Sequence, residues 1–217
     1  MTPTTPHTMF QTQVEVANHY RLFIDTLVQE GAQLHEILDT LHSASDLDTL
    51  ELRINSGGGY VSHGQQLINV MTDRFKDRSL TVIDAEACSM AALLFMAGST
   101  RVIYPHSILM VHDVSMYLAG KSNETARRMK VEVPALKEYF RNLFKDVMSE
   151  DDIEKVFDGT DLWFGAEKMC VNGMADFVLD SGSRLTAKEY LFKINPEKYP
   201  KDKDVAVEDS DSGPEEG

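Results

Sequence analysis

The chain has 217 residues, of which 42% are apolar, and this is enough for one domain of ordinary size with a substantial core. Its formal net charge is −14, and no Lys/Arg cluster is interleaved with aromatic residues, so nucleic acid is not expected as a direct ligand. The longest apolar run, Met90 to Ala97, is too short to span a bilayer, so no membrane association is expected either.

The first half of the chain alternates between patterns typical of strands and of helices. A strand at 22–24 precedes a helix that ends at Leu41, and a strand at 50–54 precedes a helix over 61–75. A β-branched run that begins at Leu80 then turns into a helical apolar run up to Gly98. This alternation predicts an α/β fold.

The second half carries, in order, two short strands, a long helix, two short helices and a last strand, predicted over 101–104, 108–111, 123–148, 149–157, 166–172 and 174–179. The long helix is amphipathic, and Pro134 should kink or segment it. Ser149 is the expected N-cap of the first short helix. A loop over 158–161 separates the two short helices, and one more small helix is expected to start at Thr186.

Composition also divides the chain into regions. We expect a flexible N-terminal segment over 1–19, a folded domain over 20–181, a C-terminal extension over 182–200 and an acidic tail over 201–217. The tail has two lysines and seven acidic residues, so its composition predicts disorder.

The N-terminus lacks the regions of a signal peptide, and two cysteines give neither a disulfide framework nor a zinc site. Both features predict a cytoplasmic protein. Metal-binding spacings are absent, and Gly120-Lys121-Ser122 is only the end of a phosphate-binding loop signature, so no cofactor is expected. Any dependence on ATP would have to come from a partner.

Ser89 stands at the joint between a strand and a helix. Unpaired backbone N–H groups and the positive end of the helix dipole favour negative charge there, so Ser89 is a candidate nucleophile, although this stretch alone favours an N-cap. A serine nucleophile needs a base and a group that orients the base, and His112 and Asp161 could supply these roles. The glycine loop 57–59 and the N–H of Met90 could bind an oxyanion.

Spacing alone leaves other choices open. His106 is a rival base, but it follows a proline in an expected surface turn. Asp158 is a rival acid that is typical of a turn, whereas residues 162–164 (Leu-Trp-Phe) should bury Asp161 as an orienting acid requires. Cys88 is expected to be a small core residue.

Several stretches occur together in one order along the chain: Ile54–Gly59, Cys88–Ala92, Leu109–His112, Asp161 and Phe164–Glu167. In this combination they resemble the motifs of the Clp protease proteolytic subunit family, the ClpP-type serine peptidases, over residues 20–180. The resemblance implies that Ser89 is the nucleophile, His112 the general base and Asp161 the orienting acid. It also implies that Gly59 and Met90 donate to the oxyanion, with Gly58 as a further candidate.

The resemblance implies a ClpP/crotonase-like α/β spiral of strand–strand–helix units from which the helix over 123–148 protrudes as a handle. It further implies a homo-oligomeric ring of two stacked heptamers that cleaves polypeptide substrates, with an AAA+ ATPase unfoldase as a partner. The chain departs from the family pattern at four places: Gly57 replaces proline, Cys88 replaces alanine, Ala91 replaces glycine, and Asp113-Val114 replaces Gln-Pro.

Three alternatives stay open at this point. A divergent phage member of the same fold would mature a prohead or capsid in the host cytoplasm. A crotonase-like acyl-CoA enzyme would use a carboxylate, with Glu86 as the candidate. A non-catalytic ring subunit would only modulate an active relative.

Overall fold

The computed structural model describes residues 17–25, 31–113 and 122–201. The predictions for residues 1–16, for the phosphate-loop-like residues 120–121 and for the acidic tail from residue 202 onward lie outside the described residues. Within these ranges, no helix combines the length and the apolar character that crossing a bilayer requires.

The described ranges contain eight strands and seven helices in a mixed order. They are β1 (His19–Ile24), α1 (Gly31–His42), β2 (Thr49–Ser56), α2 (Val61–Arg74), β3 (Ser79–Cys88), α3 (Met90–Met96), β4 (Thr100–Ile103), β5 (Ile108–Val111), α4 (Ser122–Phe144), α5 (Glu150–Phe157), β6 (Leu162–Gly165), α6 (Ala166–Val171), β7 (Phe177–Asp180), β8 (Ser183–Thr186) and α7 (Ala187–Ile194). The predicted α/β class is confirmed.

One sheet joins all eight strands. Its main path runs β1-β2-β3-β4-β7-β8, and every pair on this path is parallel except β7 with β8. The ten-residue strand β3 has two neighbours on the same side, because residues 80–83 pair with β4 whereas residues 86–88 pair with β5. Strand β6 extends this second part of the sheet antiparallel to β5. The end of β3 therefore lies next to the end of β5.

The core lies on the sheet face that the alternating apolar residues of β2 point to. Leu50, Leu52 and Ile54 are at most 1% exposed, and they belong to one hydrophobic cluster with residues of the helices, such as Met71 of α2 and Phe95 of α3. Full burial of such a side chain contributes roughly 1.5–3 kcal/mol each. This packing fixes α2 and α3, and with them the loops that precede each helix.

The predicted segmentation of the long helix at Pro134 does not occur, since α4 runs from Ser122 to Phe144 as one helix, whereas the kink predicted as its alternative stays a prediction. Proline removes the hydrogen bond to the carbonyl four residues earlier, which is that of Lys130. Both residues are exposed, so water can solvate this carbonyl. Loss of this hydrogen bond therefore costs less free energy on this exposed face than it would on a buried face of the helix.

The expectation that the strand near 174–179 would be the last one is also wrong. Strand β8 follows β7 and pairs with it antiparallel, and Tyr190 and Leu191 of α7 join the core cluster. Strand β6 was likewise missed. Each of these strands has four residues, too few for an alternating pattern to stand out from a loop.

Candidate active site

Ser89 occupies the single position between β3 and α3, and its backbone is strained. Its φ of 57° and ψ of −127° lie in a region that residues other than glycine rarely adopt. Such a conformation costs about 1–3 kcal/mol and persists only when the surroundings impose it. A sharp strand-to-helix turn of this kind exposes a serine hydroxyl above a sheet.

The hydroxyl of Ser89 does not cap the helix. Ser89 stands at the N-cap position of α3, but its side chain accepts no hydrogen bond from the first turn. By contrast, Ser149 and Thr186 accept such bonds at the starts of α5 and α7. The alternative that Ser89 serves only to satisfy a backbone donor is therefore wrong for its side chain.

Backbone hydrogen bonds hold Ser89 on both sides. Its N–H donates to the carbonyl oxygen of Met110 in β5 at 2.9 Å, and its own carbonyl accepts from the N–H of Ala92 at 3.0 Å. Because Met110 is two residues before His112, the first of these bonds also holds Ser89 close in space to the segment that carries the predicted base.

The glycine loop approaches Ser89 so closely that a side chain would not fit. Gly58 has a φ of +107°, and a Cβ on Gly58 would lie 2.8 Å from the Ser89 Cβ and 3.0 Å from the Cys88 carbonyl oxygen. The N–H of Gly58 already donates to the Ser56 hydroxyl at 3.1 Å. Gly59 is therefore the better candidate of the two for an oxyanion donor.

Four of the predicted site residues, but neither Asp161 nor Gly58, line one cavity of about 260 Å³. Its walls are Gly59, Val61, Ser89, Met90, Leu93, His112, Asp113, Leu136 and Phe140. The structure thus brings the predicted nucleophile, the predicted base and both predicted oxyanion donors together. The N–H of Met90 is the first of α3 and has no acceptor within the helix, as an oxyanion donor requires.

Asp161 directly precedes the strand that pairs with the strand leading to His112. In the antiparallel ladder, Val111 of β5 is opposite Leu162 of β6. His112 directly follows Val111 and Asp161 directly precedes Leu162, so the two residues stand just beyond the last pair of this ladder. Among the described residues, however, no hydrogen bond joins His112 to Asp161 or Ser89 to His112.

The expectation that residues 162–164 bury Asp161 is wrong. Asp161 is exposed and Trp163 is 56% exposed, whereas Phe164 is buried. In the described structure β6 pairs with β5 alone, so it is an edge strand. Only the residues that point from this strand to the core, such as Phe164, are covered within one chain.

The rival residues lie outside the cavity lining. His106 and Asp158 are exposed, in the turn before β5 and just after α5 respectively. Cys88 is 4% exposed, and burial, followed by the nearby Glu86 carboxylate, raises the pKa of its thiol. A buried thiol with a raised pKa is a poor nucleophile. Glu86 is itself exposed and does not line the cavity.

Sequence reasoning missed the apolar wall of the site. Val61, Leu93, Leu136 and Phe140 come from three helices, and each was expected only as part of an amphipathic or apolar pattern. The signal available for Asp113 was its position after His112. Within the described ranges, no group of three His, Cys, Asp or Glu side chains could hold a metal ion.

Comparison with protein families agrees with the motifs. The family model described as Clp protease matches residues 9–182, which is 174 of the 217 residues. The matched region includes every residue of the cavity lining and Asp161.

Proposed function

Because the chain belongs to the Clp protease family, we propose that it is a serine endopeptidase that hydrolyses peptide bonds through an acyl-enzyme. The observation that carries this proposal is that the Ser89 hydroxyl does not cap its helix. Ser89 is instead held in a strained turn on the wall of a cavity that His112 and Gly59 also line. If the Ser89 hydroxyl had only a structural role, nothing about that role would require a strained backbone at this residue.

In the proposed reaction the Ser89 Oγ attacks the carbonyl carbon of the scissile peptide bond and gives its proton to His112. The N–H groups of Gly59 and Met90 donate hydrogen bonds to the oxyanion of the tetrahedral intermediate. When the C–N bond breaks, His112 returns the proton to the leaving amine. Water, deprotonated by His112, then hydrolyses the acyl-enzyme and restores Ser89.

Asp161 is proposed as the acid that orients the His112 ring. The pairing of the neighbouring residues, Val111 with Leu162, supports this role. Hydrogen bonds between catalytic groups are often long or poorly aligned without substrate.

Members of the Clp protease family form oligomeric rings. We propose that this chain forms a ring of two stacked heptamers that accepts polypeptides from an AAA+ ATPase unfoldase. Exposed apolar side chains on α4, with Met129 at 44% and Val131 at 71%, support a role of this helix in association.

One observation favours a second candidate, a non-catalytic ring subunit of the same fold. The three predicted catalytic side chains are not joined by hydrogen bonds in the described structure, as expected if the chain only modulates an active relative. Labelling with a fluorophosphonate separates the two candidates, because this reagent reacts only with an activated serine.

The experiment compares the wild-type protein with Ser89→Ala and with Ser62→Ala, which changes an exposed serine on α2. We expect label on Ser89 in the wild type and in Ser62→Ala, located by peptide mass spectrometry, and none in Ser89→Ala. Cleavage of an unfolded protein substrate should fall at least about 10³-fold in Ser89→Ala. Absence of label on the wild type would support the non-catalytic subunit, and equal label on Ser89→Ala would contradict the serine mechanism.

A further inference from the structure

A second cavity, of about 540 Å³, lies where the described chain ends. Its walls are Lys188, Glu189, Leu191, Phe192, Lys198, Tyr199, Pro200 and Lys201. It shares no residue with the cavity at Ser89. Its volume is within the range of about 300–1,000 Å³ that is common for ligand sites.

The cavity combines cationic groups with an aromatic surface. The ammonium group of Lys201 lies 5.0 Å from the ring centre of Phe192, and that of Lys198 lies 5.0 Å from the ring centre of Tyr199. The one acidic wall residue, Glu189, is engaged with Thr186 in the capping box of α7. The walls therefore suit an anionic ligand that also offers apolar groups.

A neighbouring carboxylate holds part of this wall in place. Glu167 of α6 accepts from the Lys198 ammonium at 2.9 Å and from the Tyr199 hydroxyl at 2.8 Å. These contacts raise the pKa of Lys198 and lower that of Glu167, so both groups are charged at neutral pH. The walls and Glu167 together contain three lysines and two carboxylates among the described residues, and Glu189 also interacts with Lys201.

The segment that follows Lys201 has the complementary charge. Residues 202–217 contain seven acidic residues and one lysine, a net charge of −6, which leaves −8 on the preceding part of the chain (−14 minus −6). On this negatively charged body the cavity wall contains three lysines and one carboxylate. The acidic segment starts next to the wall of the cavity, because it directly follows Lys201.

We propose that residues 202–217 dock in this cavity of their own chain, with the acidic group Glu208–Asp211 over the lysines. Six intervening residues, 202–207, span at most about 20 Å when extended, which is enough for a return to the cavity. Val205 and Val207 supply apolar groups for the aromatic wall.

Tethering makes a weak contact sufficient. A short flexible connection gives an effective concentration of about 1 mM, so even a dissociation constant of about 1 mM would keep the segment bound about half of the time. The charges are exposed, so salt should screen them and release the segment. This inference does not depend on the proposed peptidase activity.

The test uses the full chain with a fluorescent dye on a cysteine introduced by Ser212→Cys. The natural cysteines, Cys88 and Cys170, are buried, so the dye reacts at the new site. We expect the anisotropy of the dye to be high in about 20 mM salt and to fall in about 500 mM salt as the segment is released. It should also fall at low salt when Lys188→Glu and Lys201→Glu are combined.

The matched control combines Lys76→Glu and Lys145→Glu, which make the same change in net charge at exposed lysines elsewhere. It should keep the high anisotropy. The proposal is overturned if salt does not change the anisotropy of the parent chain, or if the two double variants lose it equally. Carbodiimide crosslinks from the segment to a different chain, detected after light and heavy isotopic chains are mixed, would overturn docking within one chain.

Discussion

Substitution of Gly58 by alanine tests the packing of the glycine loop against Ser89. The new Cβ would lie 2.8 Å from the Ser89 Cβ, whereas ordinary van der Waals contact begins at 3.4 Å. The two groups must therefore separate by about 0.6 Å, and one of them is the side chain of the proposed nucleophile. A misplacement of about 1 Å at an active site can lower the rate about 100-fold.

We expect Gly58→Ala to lower kcat/KM about tenfold or more, which corresponds to about 1.4 kcal/mol of transition-state stabilisation. The φ of +107° adds a destabilisation of the fold of about 1–3 kcal/mol. Hydrolysis of a fluorogenic peptide gives the first quantity, and the thermal unfolding midpoint gives the second.

Two matched controls separate the contact from the backbone strain. Gly159 has a φ of +92° but open space around a new Cβ, so Gly159→Ala should lose stability and keep its activity. Gly57 has open space without a positive φ, so Gly57→Ala should change neither strongly. A folded Gly58→Ala protein with kcat/KM within about twofold of Gly57→Ala would refute the reasoning.

Two further predictions concern the stability of the fold. Phe144 is fully buried and stacks on Phe140 with ring centres 4.5 Å apart, so Phe144→Ala should lower the free energy of unfolding by about 3–5 kcal/mol and the thermal midpoint by about 10 °C. Phe23 is 71% exposed, so Phe23→Ala should change the thermal midpoint little, and equal losses in the two variants would contradict the packing argument. Asp48 accepts hydrogen bonds from the backbone N–H groups of Asn18 and Ser45, which lower its pKa to about 2 from the usual 3.8. Because the folded-state pKa is the lower one, this stabilisation is complete above about pH 4 and is lost as the pH falls towards about 2. The thermal midpoint of Asp48→Asn should be lower than that of the wild type at pH 7 and should depend less on pH in this range, and parallel curves for the two proteins would contradict it.

The parts of the fold that could be predicted depend on residues close together in the sequence. Alternation in 50–54, three glycines in a row and a helical apolar run after Leu80 each depend on neighbours within a few residues, and the structure contains β2, its glycine loop and the joint of β3 with α3 at these places. The N-cap at Ser149 was also predictable, because a capping side chain contacts an N–H three residues away.

The parts that were wrong or missed depend on residues far apart in the sequence. Whether Pro134 interrupts a helix depends on the exposure of the carbonyl that loses its partner, and whether residues 162–164 bury Asp161 depends on the place of β6 at the edge of the sheet. A four-residue strand such as β8 is defined by its partner β7 more than by its own residues.

By itself, the sequence determined which chemical groups are available and their order along the chain: a serine at a strand–helix joint, a histidine after a strand, an aspartate in a loop and a run of glycines. Only the tertiary structure decided that β5 pairs with the end of β3, so that the carbonyl of Met110 holds Ser89 beside the strand that leads to His112. It also decided that the Ser89 hydroxyl does not cap its helix. The physical reason is that hydrogen-bond partners and burial are properties of the space around a residue, and distant segments of the chain fill that space.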